Sequence, residues 1–189
     1  TSAEDQRFFH HLGLDPKGIA RAMLQNIKAG RVVAGGSTLS QQTAKNLYYR
    51  PDRSLRSKAQ EAVNALRLEH HYTKEDILEF YSNQFHVSGN GRGLGIAARY
   101  FFDKEVSGLS TLECAFIAGM VKGPDNYNPF IKKSQERVDQ ARVRASDRTT
   151  YVLGRMRDSG ELSEEEYQAL KGKEIPFRQG RFRYTRDVL

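Results

Sequence analysis

Apolar positions recur along this chain at helical spacing almost throughout, and alternation at strand period is nearly absent, so the pattern predicts a mainly α fold. Asp15 followed by Pro16 makes a helix start, and Ile19, Ala22, Met23, Asn26 and Ile27 fall on one face before Gly30 stops the run. A loop from Arg31 to about Leu39 follows, with Gly35 and Gly36 freeing its backbone. Ser54 is placed to cap the next helix, whose expected apolar stripe is Leu55, Ala59, Ala62, Val63 and Leu66; Glu61 sits beside that stripe, one turn from Lys58. Thr73 and Asp76 open a helix through Ile77, Leu78, Phe80 and Tyr81, and the segment HVSGNGRGLG then reads as a loop. This loop, over Ser88 to Gly95, and the one from Arg31 to Leu39 combine glycines with few apolar anchors and are expected to be mobile without a ligand.

Ser110 and Glu113 form a capping box ahead of an almost wholly apolar stretch, Leu112 to Val121, which the pattern assigns as the core helix and in which Glu113 is structural. Beyond GPDNYNP the chain returns to long amphipathic helices, with a second capping box at Ser163 and Glu166 before Tyr167 and Leu170. The closing stretch, PFRQGRFRYTRDVL, is basic and aromatic and fits no element; residues 176–189 read as a tail or the start of a linker.

Length and composition add outer limits. A chain of 189 residues with 38% hydrophobic content suits one domain with a sizeable core. The single cysteine, Cys114, lies within the apolar run ECAFIAGM and reads as a small core residue, which leaves no disulfide framework or thiolate metal site. No run is long enough to span a bilayer. The abrupt start at TSAEDQRFF, without Met and with a motif at once, is expected of a domain excised from a longer protein.

Charge changes the picture more. From Lys17 to Lys58 nine cations stand against one acid, Asp52, for a net charge of +8, while the whole chain carries +7. The positive field is therefore concentrated in one segment, where it can hold an anion as well as keep a surface solvated. Nucleic acid, an anionic membrane and a phosphorylated substrate are the partner classes that such a field admits. A nucleic-acid binder would interleave stacking aromatics with the cations, and only Tyr48 and Tyr49 do so here.

The candidate chemistry is narrowed by what is missing. There is no phosphate-binding Walker loop, no G-x-S-x-G elbow and no Cys/His metal spacing, and the pairs His10-His11 and His70-His71 do not face one way on a helix. GNGRGLG follows no strand, so turn formation explains it better than nucleotide binding. Ser37, in GGST, has no evident base partner and is better placed to donate to an anion or cap a turn. What remains is a pair of carboxylates, Glu4 and Glu61, bracketing the cations. Such a pair can divide the work of base and of electrostatic or metal partner, although spacing does not show that they meet.

Five segments in order give these residues a context: EDQRFFHHLG (Glu4 to Gly13), GGSTLSQQTAKN (Gly35 to Asn46), RSLRSKAQE (Arg53 to Glu61), ILEFYSN running into the glycine loop (Ile77 to Gly95), and LSTLECAFIAGMVKGPDNYNP (Leu109 to Pro129). Together they resemble the motifs of the peptidoglycan glycosyltransferases, which comprise the monofunctional transglycosylases and the transglycosylase domain of class A penicillin-binding proteins. The resemblance implies a lysozyme-like helical domain over residues 1–175, with a head lobe and a smaller jaw lobe that touches the bilayer.

It also implies an activity: transfer of the growing glycan from its undecaprenyl pyrophosphate carrier to the 4-hydroxyl of GlcNAc in lipid II, with inversion at the anomeric carbon. By motif position, Glu4 is the general base. Glu61 is the second essential carboxylate, near the donor pyrophosphate, where it holds Mg²⁺ or Mn²⁺ or orients the cations. Lys45, Arg53 and Lys58 match the cations that grip the pyrophosphate. Ser37, Thr38, Gln41 and Gln42 match groups that bond sugar or phosphate oxygens. Asn83 joins this substrate-binding set and, with Asp5, Phe8 and His11, supports the shape of the site rather than reacting.

The resemblance implies lipid II, the nascent glycan strand, the bacterial membrane surface and other cell-wall synthesis proteins as partners, and not nucleic acid. It implies a location on the outer, periplasmic or extracellular, face of the cytoplasmic membrane, for a chain that lacks the usual N-terminal anchor. Three departures stand out. Ser57 occupies the customary arginine position of the third motif, with Arg56 beside it; Leu39-Ser40 replaces Ile-Thr in the second; and Ser82 replaces Leu in the fourth. Arg56 points about a quarter-turn or more away from position 57 on a helix and needs a different approach to the same phosphate. The alternatives are a lysozyme-like glycan hydrolase, disfavoured by the pyrophosphate cations, and a catalytically weak lipid II-binding module, to which Ser57 points while Glu4 and Glu61 do not.

Overall fold

A computed structural model of the chain describes residues 4–48, 52, 54–121 and 123–180. It is mainly helical, with no strand among the described residues and one isolated bridge between His86 and Arg92. The helices are α1 (Pro16–Ala29), α2 (Leu39–Leu47), α3 (Leu55–His71), α4 (Lys74–Ser82), α5 (Leu94–Phe102), α6 (Thr111–Met120), α7 (Pro124–Tyr127), α8 (Gln135–Asp158) and α9 (Glu164–Leu170). The chain divides into two compact units, one up to Gln84 and the other from Phe85 onward.

In the first unit, α2 packs on α3 and α4 around a core of Phe8, Leu39, Ala44, Ala65, Leu68 and Ile77. The helix starts obey local chemistry. Ser54 accepts from the Ser57 amide at the head of α3, and Thr73 forms a reciprocal capping box with Asp76 at the head of α4. α1 stops at Gly30, whose φ of 64° is the left-handed cap that glycine adopts without a Cβ penalty.

Two expected faces are corrected by the packing. On α1 only Gly18 and Ala22 are buried, while Ile19, Met23, Leu24 and Ile27 are exposed, so its apolar face remains at the surface. On α3 the expected stripe is turned outward, with Leu55 90% exposed. The buried side of α3 instead carries Ser57, Glu61, Asn64, Ala65 and Leu68. Those positions share a helical face as well as the apolar set does, but polar residues occupy its first half because that half borders a pocket rather than a core.

The second unit is built on α6 packed against α8. α6 has the expected capping box between Ser110 and Glu113, and a Cβ on Gly119 would lie 3.0 Å from Arg148 Cγ and 3.3 Å from Val152 Cγ2, so glycine permits the close approach of α8. Phe101, Phe102, Phe116 and Met120 form the centre of its core. Cys114 is exposed, contrary to its reading as a core residue: α6 turns Leu112, Ala115, Phe116 and Ile117 inward and Thr111, Cys114 and Ala118 outward. After α9 the chain runs back along α5, with Ile175 and Phe177 joining the core and the amides of Arg178 and Gly180 donating to the carbonyls of Phe101 (2.8 Å) and Tyr100 (3.2 Å).

Candidate active site

The site is assembled in the first unit by the start of α2. Thr38 caps this helix: its Oγ1 accepts from the Gln41 amide (3.1 Å) and donates to the Gly13 carbonyl (2.6 Å), while Gln41 Oε1 accepts from the Thr38 amide (3.0 Å). Both side chains are buried, and their polar groups are turned to the cap rather than to an open surface. The Thr-x-x-Gln spacing that encodes this box stands in the sequence; the expectation of a loop to about Leu39 with Ser54 capping the next helix is corrected by α2.

Glu4 is half-buried. Asp5, its neighbour, is fixed firmly, because its Oδ2 accepts from the Leu39 amide at 2.9 Å and from His11 Nε2 at 3.0 Å. The first turn of α2 therefore holds the residue adjoining Glu4. Burial foremost, and the Glu4 charge after it, push the Tyr81 phenol well above its ordinary range, so Tyr81 stays a neutral phenol within the field of Glu4.

Ser37, just ahead of the α2 cap, accepts from Lys58 Nζ at 2.9 Å, and the same ammonium pairs with Glu61 Oε1. Glu61 is buried at 5% exposure, not a surface partner of Lys58. It closes one side of a pocket of about 310 Å³ between α2 and α3, lined also by Lys45, Asp52, Arg56, Ser57 and Asn64. Ser57 turns its hydroxyl to Asp52, which also accepts from Ser54 Oγ at 2.7 Å. Arg56, although it is on a different helical face, lines the same pocket.

The structure thus joins Ser37, Lys58 and Glu61, and sets Lys45 across the pocket. Glu4 does not line that pocket and is linked to it through Asp5 and α2. Gln42 is half-buried, and Asn83 is exposed at the end of α4, with its amide donating to the Glu79 carbonyl. Arg53 lies outside the described residues. Sequence reading did not assign Asp52, Tyr48, Gln60 or Asn64 to the site; Ser57, Glu61 and Asn64 at i, i+4 and i+7 were the available signal.

Among known proteins, the family described as Transglycosylase matches residues 1–157. Penicillin-binding protein 1A of Aquifex aeolicus is 38% identical over 93% of this chain and 23% of its own length. Penicillin-binding protein 1B of Vibrio cholerae is 40% identical over 87% of this chain and 21% of its own. A crystal structure of penicillin-binding protein 1A from Haemophilus influenzae is similar over 59% of this chain and 15% of that one, at 33% identity and a TM-score of 0.47. The chain spans about a fifth of the length of the penicillin-binding proteins that it matches. With most of its residues matched, the chain belongs to the transglycosylase family.

Proposed function

We propose that the chain is a peptidoglycan glycan-chain polymerase that transfers the growing glycan from undecaprenyl pyrophosphate to the 4-hydroxyl of GlcNAc in lipid II. The observation that carries this reading is the pocket that places Lys45 and Arg56 beside buried Glu61, with Lys58 bridging Glu61 to Ser37. In the reaction, the acceptor O4 bonds to the anomeric carbon and its proton passes to Glu4. The bond from that carbon to the pyrophosphate oxygen breaks, and the lipid pyrophosphate leaves with the electron pair, inverting the centre.

Glu4 is suited to the base role because it is half-buried and its backbone neighbour is anchored. Negative charge develops on the departing diphosphate, and fixed cations that meet it there stabilise the transition state more than the ground state. Lys45, Arg56 and Lys58 are assigned that role, which Arg53 shares by motif position. Ser37 and Gln42 are left to bond sugar or phosphate oxygens. Thr38 and Gln41 act by shaping α2, and Asn83 supports the end of α4.

A divalent cation, Mg²⁺ or Mn²⁺, fits this pocket in the company of the diphosphate. Among the described residues no three His, Cys, Asp or Glu side chains form a cage, but Asp52 and Glu61 face one pocket, and Mg²⁺ is commonly held by one or two carboxylates together with substrate phosphates. When bound, it would supply charge neutralisation at the diphosphate.

The reading extends to a membrane surface. Ile19, Met23, Ile27 and Val32 line an open apolar groove of about 600 Å³ at α1, with Arg31 also in its lining. Lys17, Arg21 and Lys28 are exposed on the other side of the same helix. No helix among the described residues is long and apolar enough to cross a membrane. An amphipathic helix with one apolar face and a cationic opposite side suits docking to the outer face of an anionic bilayer, where lipid II resides.

The test is polymerisation of labelled lipid II in detergent with Mg²⁺, comparing the chain with Glu4→Gln and resolving glycan length on a gel. Ladders from the parent and a loss of at least about a hundredfold in the variant are expected. Absence of ladders from the parent, or release of short sugars from preformed glycan instead, would sink the reading.

A further inference from the structure

Ser40, one residue into α2, is fully buried, and its hydroxyl donates to Glu69 Oε1. Glu69 stands near the end of α3 with its side chain 5% exposed, and the same oxygen accepts from Lys74 Nζ at 2.6 Å. Lys74, the first residue of α4, also donates to the His11 carbonyl at 2.6 Å and lies over the Phe8 ring, 4.5 Å from its centroid. One buried carboxylate therefore draws together α2, α3, α4 and the segment that carries Glu4. None of the three side chains lines the α2/α3 pocket, and none falls among the groups assigned to substrate.

A buried ion pair is a weak source of net stability compared with apolar side chains of the same size, because both charges must leave water. Directional bonds do something that apolar contact does not: they fix register. Leu39 and Ser40 are consecutive, the amide of the first held by Asp5 and the hydroxyl of the second by Glu69. The first turn of α2 is thereby fixed from two directions, between the residue adjoining Glu4 and the end of α3. Glu61 lies two turns earlier on that same α3, at the pocket.

We propose that Ser40, Glu69 and Lys74 are positioning residues for glycosyl transfer: their bonds set where Glu4 stands relative to the α2/α3 pocket. The inference rests on the polymerase reading. It also gives Ser40 a reason to be a hydroxyl residue, since threonine could make the same bond and alanine could not.

Steady-state polymerisation of lipid II by the parent, Ser40→Ala, Ser40→Thr and Glu69→Gln tests it, at a temperature where circular dichroism shows all four folded. Ser40→Ala is expected to lose about tenfold or more in kcat with KM within about twofold, since misplacing reacting groups slows the step without weakening binding. Ser40→Thr should restore kcat to within about twofold of the parent. Glu69→Gln, which still accepts from Ser40 but strips Lys74 of its counter-charge, should fall between them. Parental kcat in Ser40→Ala, or a loss that Ser40→Thr shares, overturns the positioning role alone. A folded parent that makes no glycan overturns the polymerase reading, and this inference with it.

Discussion

The pair formed by Lys58 and Glu61 is lopsided, with side chains 41% and 4% exposed. A lysine so open to water loses little when its partner's charge is removed, because solvent screens it and the stem can turn outward. Glu61→Gln is therefore expected to shift unfolding stability by no more than about 1 kcal/mol. Removing the carboxylate that orients the cations at a developing diphosphate should nonetheless slow turnover by about a hundredfold or more. Urea unfolding and lipid II turnover measured on one preparation separate the two effects, and a variant that polymerises at the parental rate would remove Glu61 from the machinery. Ser57 marks where residue-level reading stopped. Its identity, set against the customary arginine, was visible in the sequence, whereas the turn it closes with Asp52 and Ser54 depends on side-chain directions that spacing does not give. The same holds for Arg56, which reaches the pocket from a neighbouring position on α3.

At the scale of the element, the capping chemistry was legible and the facing of the helices was not. The boxes at Ser110 and Ser163 are local, three residues from cap to partner, and each forms as expected, while Thr73 and Asp76 open α4 as expected and do so through a box of the same kind. The stripe on α3 was misassigned because periodicity finds a set of positions sharing a face, and only the neighbours of the helix decide which face turns inward. Here a pocket and α2 select Ser57, Glu61 and Asn64. The caps also lead to a prediction about acid. Burial would raise the Glu113 carboxyl, but the Ser110 amide (2.7 Å) and Lys104 Nζ (2.9 Å) outweigh it and hold the group below its ordinary value. A value depressed on folding adds stability above the unfolded pKa, about 4.3 for Glu, and that stability disappears as pH falls through the folded value. Asp76 and Glu166 are displaced in the same direction by their own caps. The urea midpoint should therefore fall below about pH 5, and Glu113→Gln, which cannot titrate, should flatten that fall without abolishing it. Parallel pH profiles for parent and variant would show that Glu113 is not coupled to folding.

At the scale of the whole molecule, the concentration of charge between Lys17 and Lys58 was plain in the sequence, and the mainly helical class followed from periodicity alone. What the sequence could not show is that the apolar face of α1 lies at the surface, with Met23 60%, Ile27 70% and Val32 87% exposed. An apolar residue so exposed contributes little to folding, so replacing it tests docking without disturbing the core. On a bilayer, each such side chain would gain about 1.5 to 3 kcal/mol if fully buried, and each cation near an anionic surface about 1 kcal/mol. The two contributions respond differently to salt, because screening reduces only the second. Co-sedimentation with vesicles containing phosphatidylglycerol should therefore weaken at high salt yet persist for the parent chain. The double variant Ile27→Glu, Val32→Glu should bind more weakly at low salt and not at all at high salt, with an unfolding midpoint close to that of the parent. Binding by the parent that vanishes completely in high salt would mean that the cations act alone and the α1 face does not enter the bilayer. Equal binding by the two proteins would place the docking surface elsewhere on the chain.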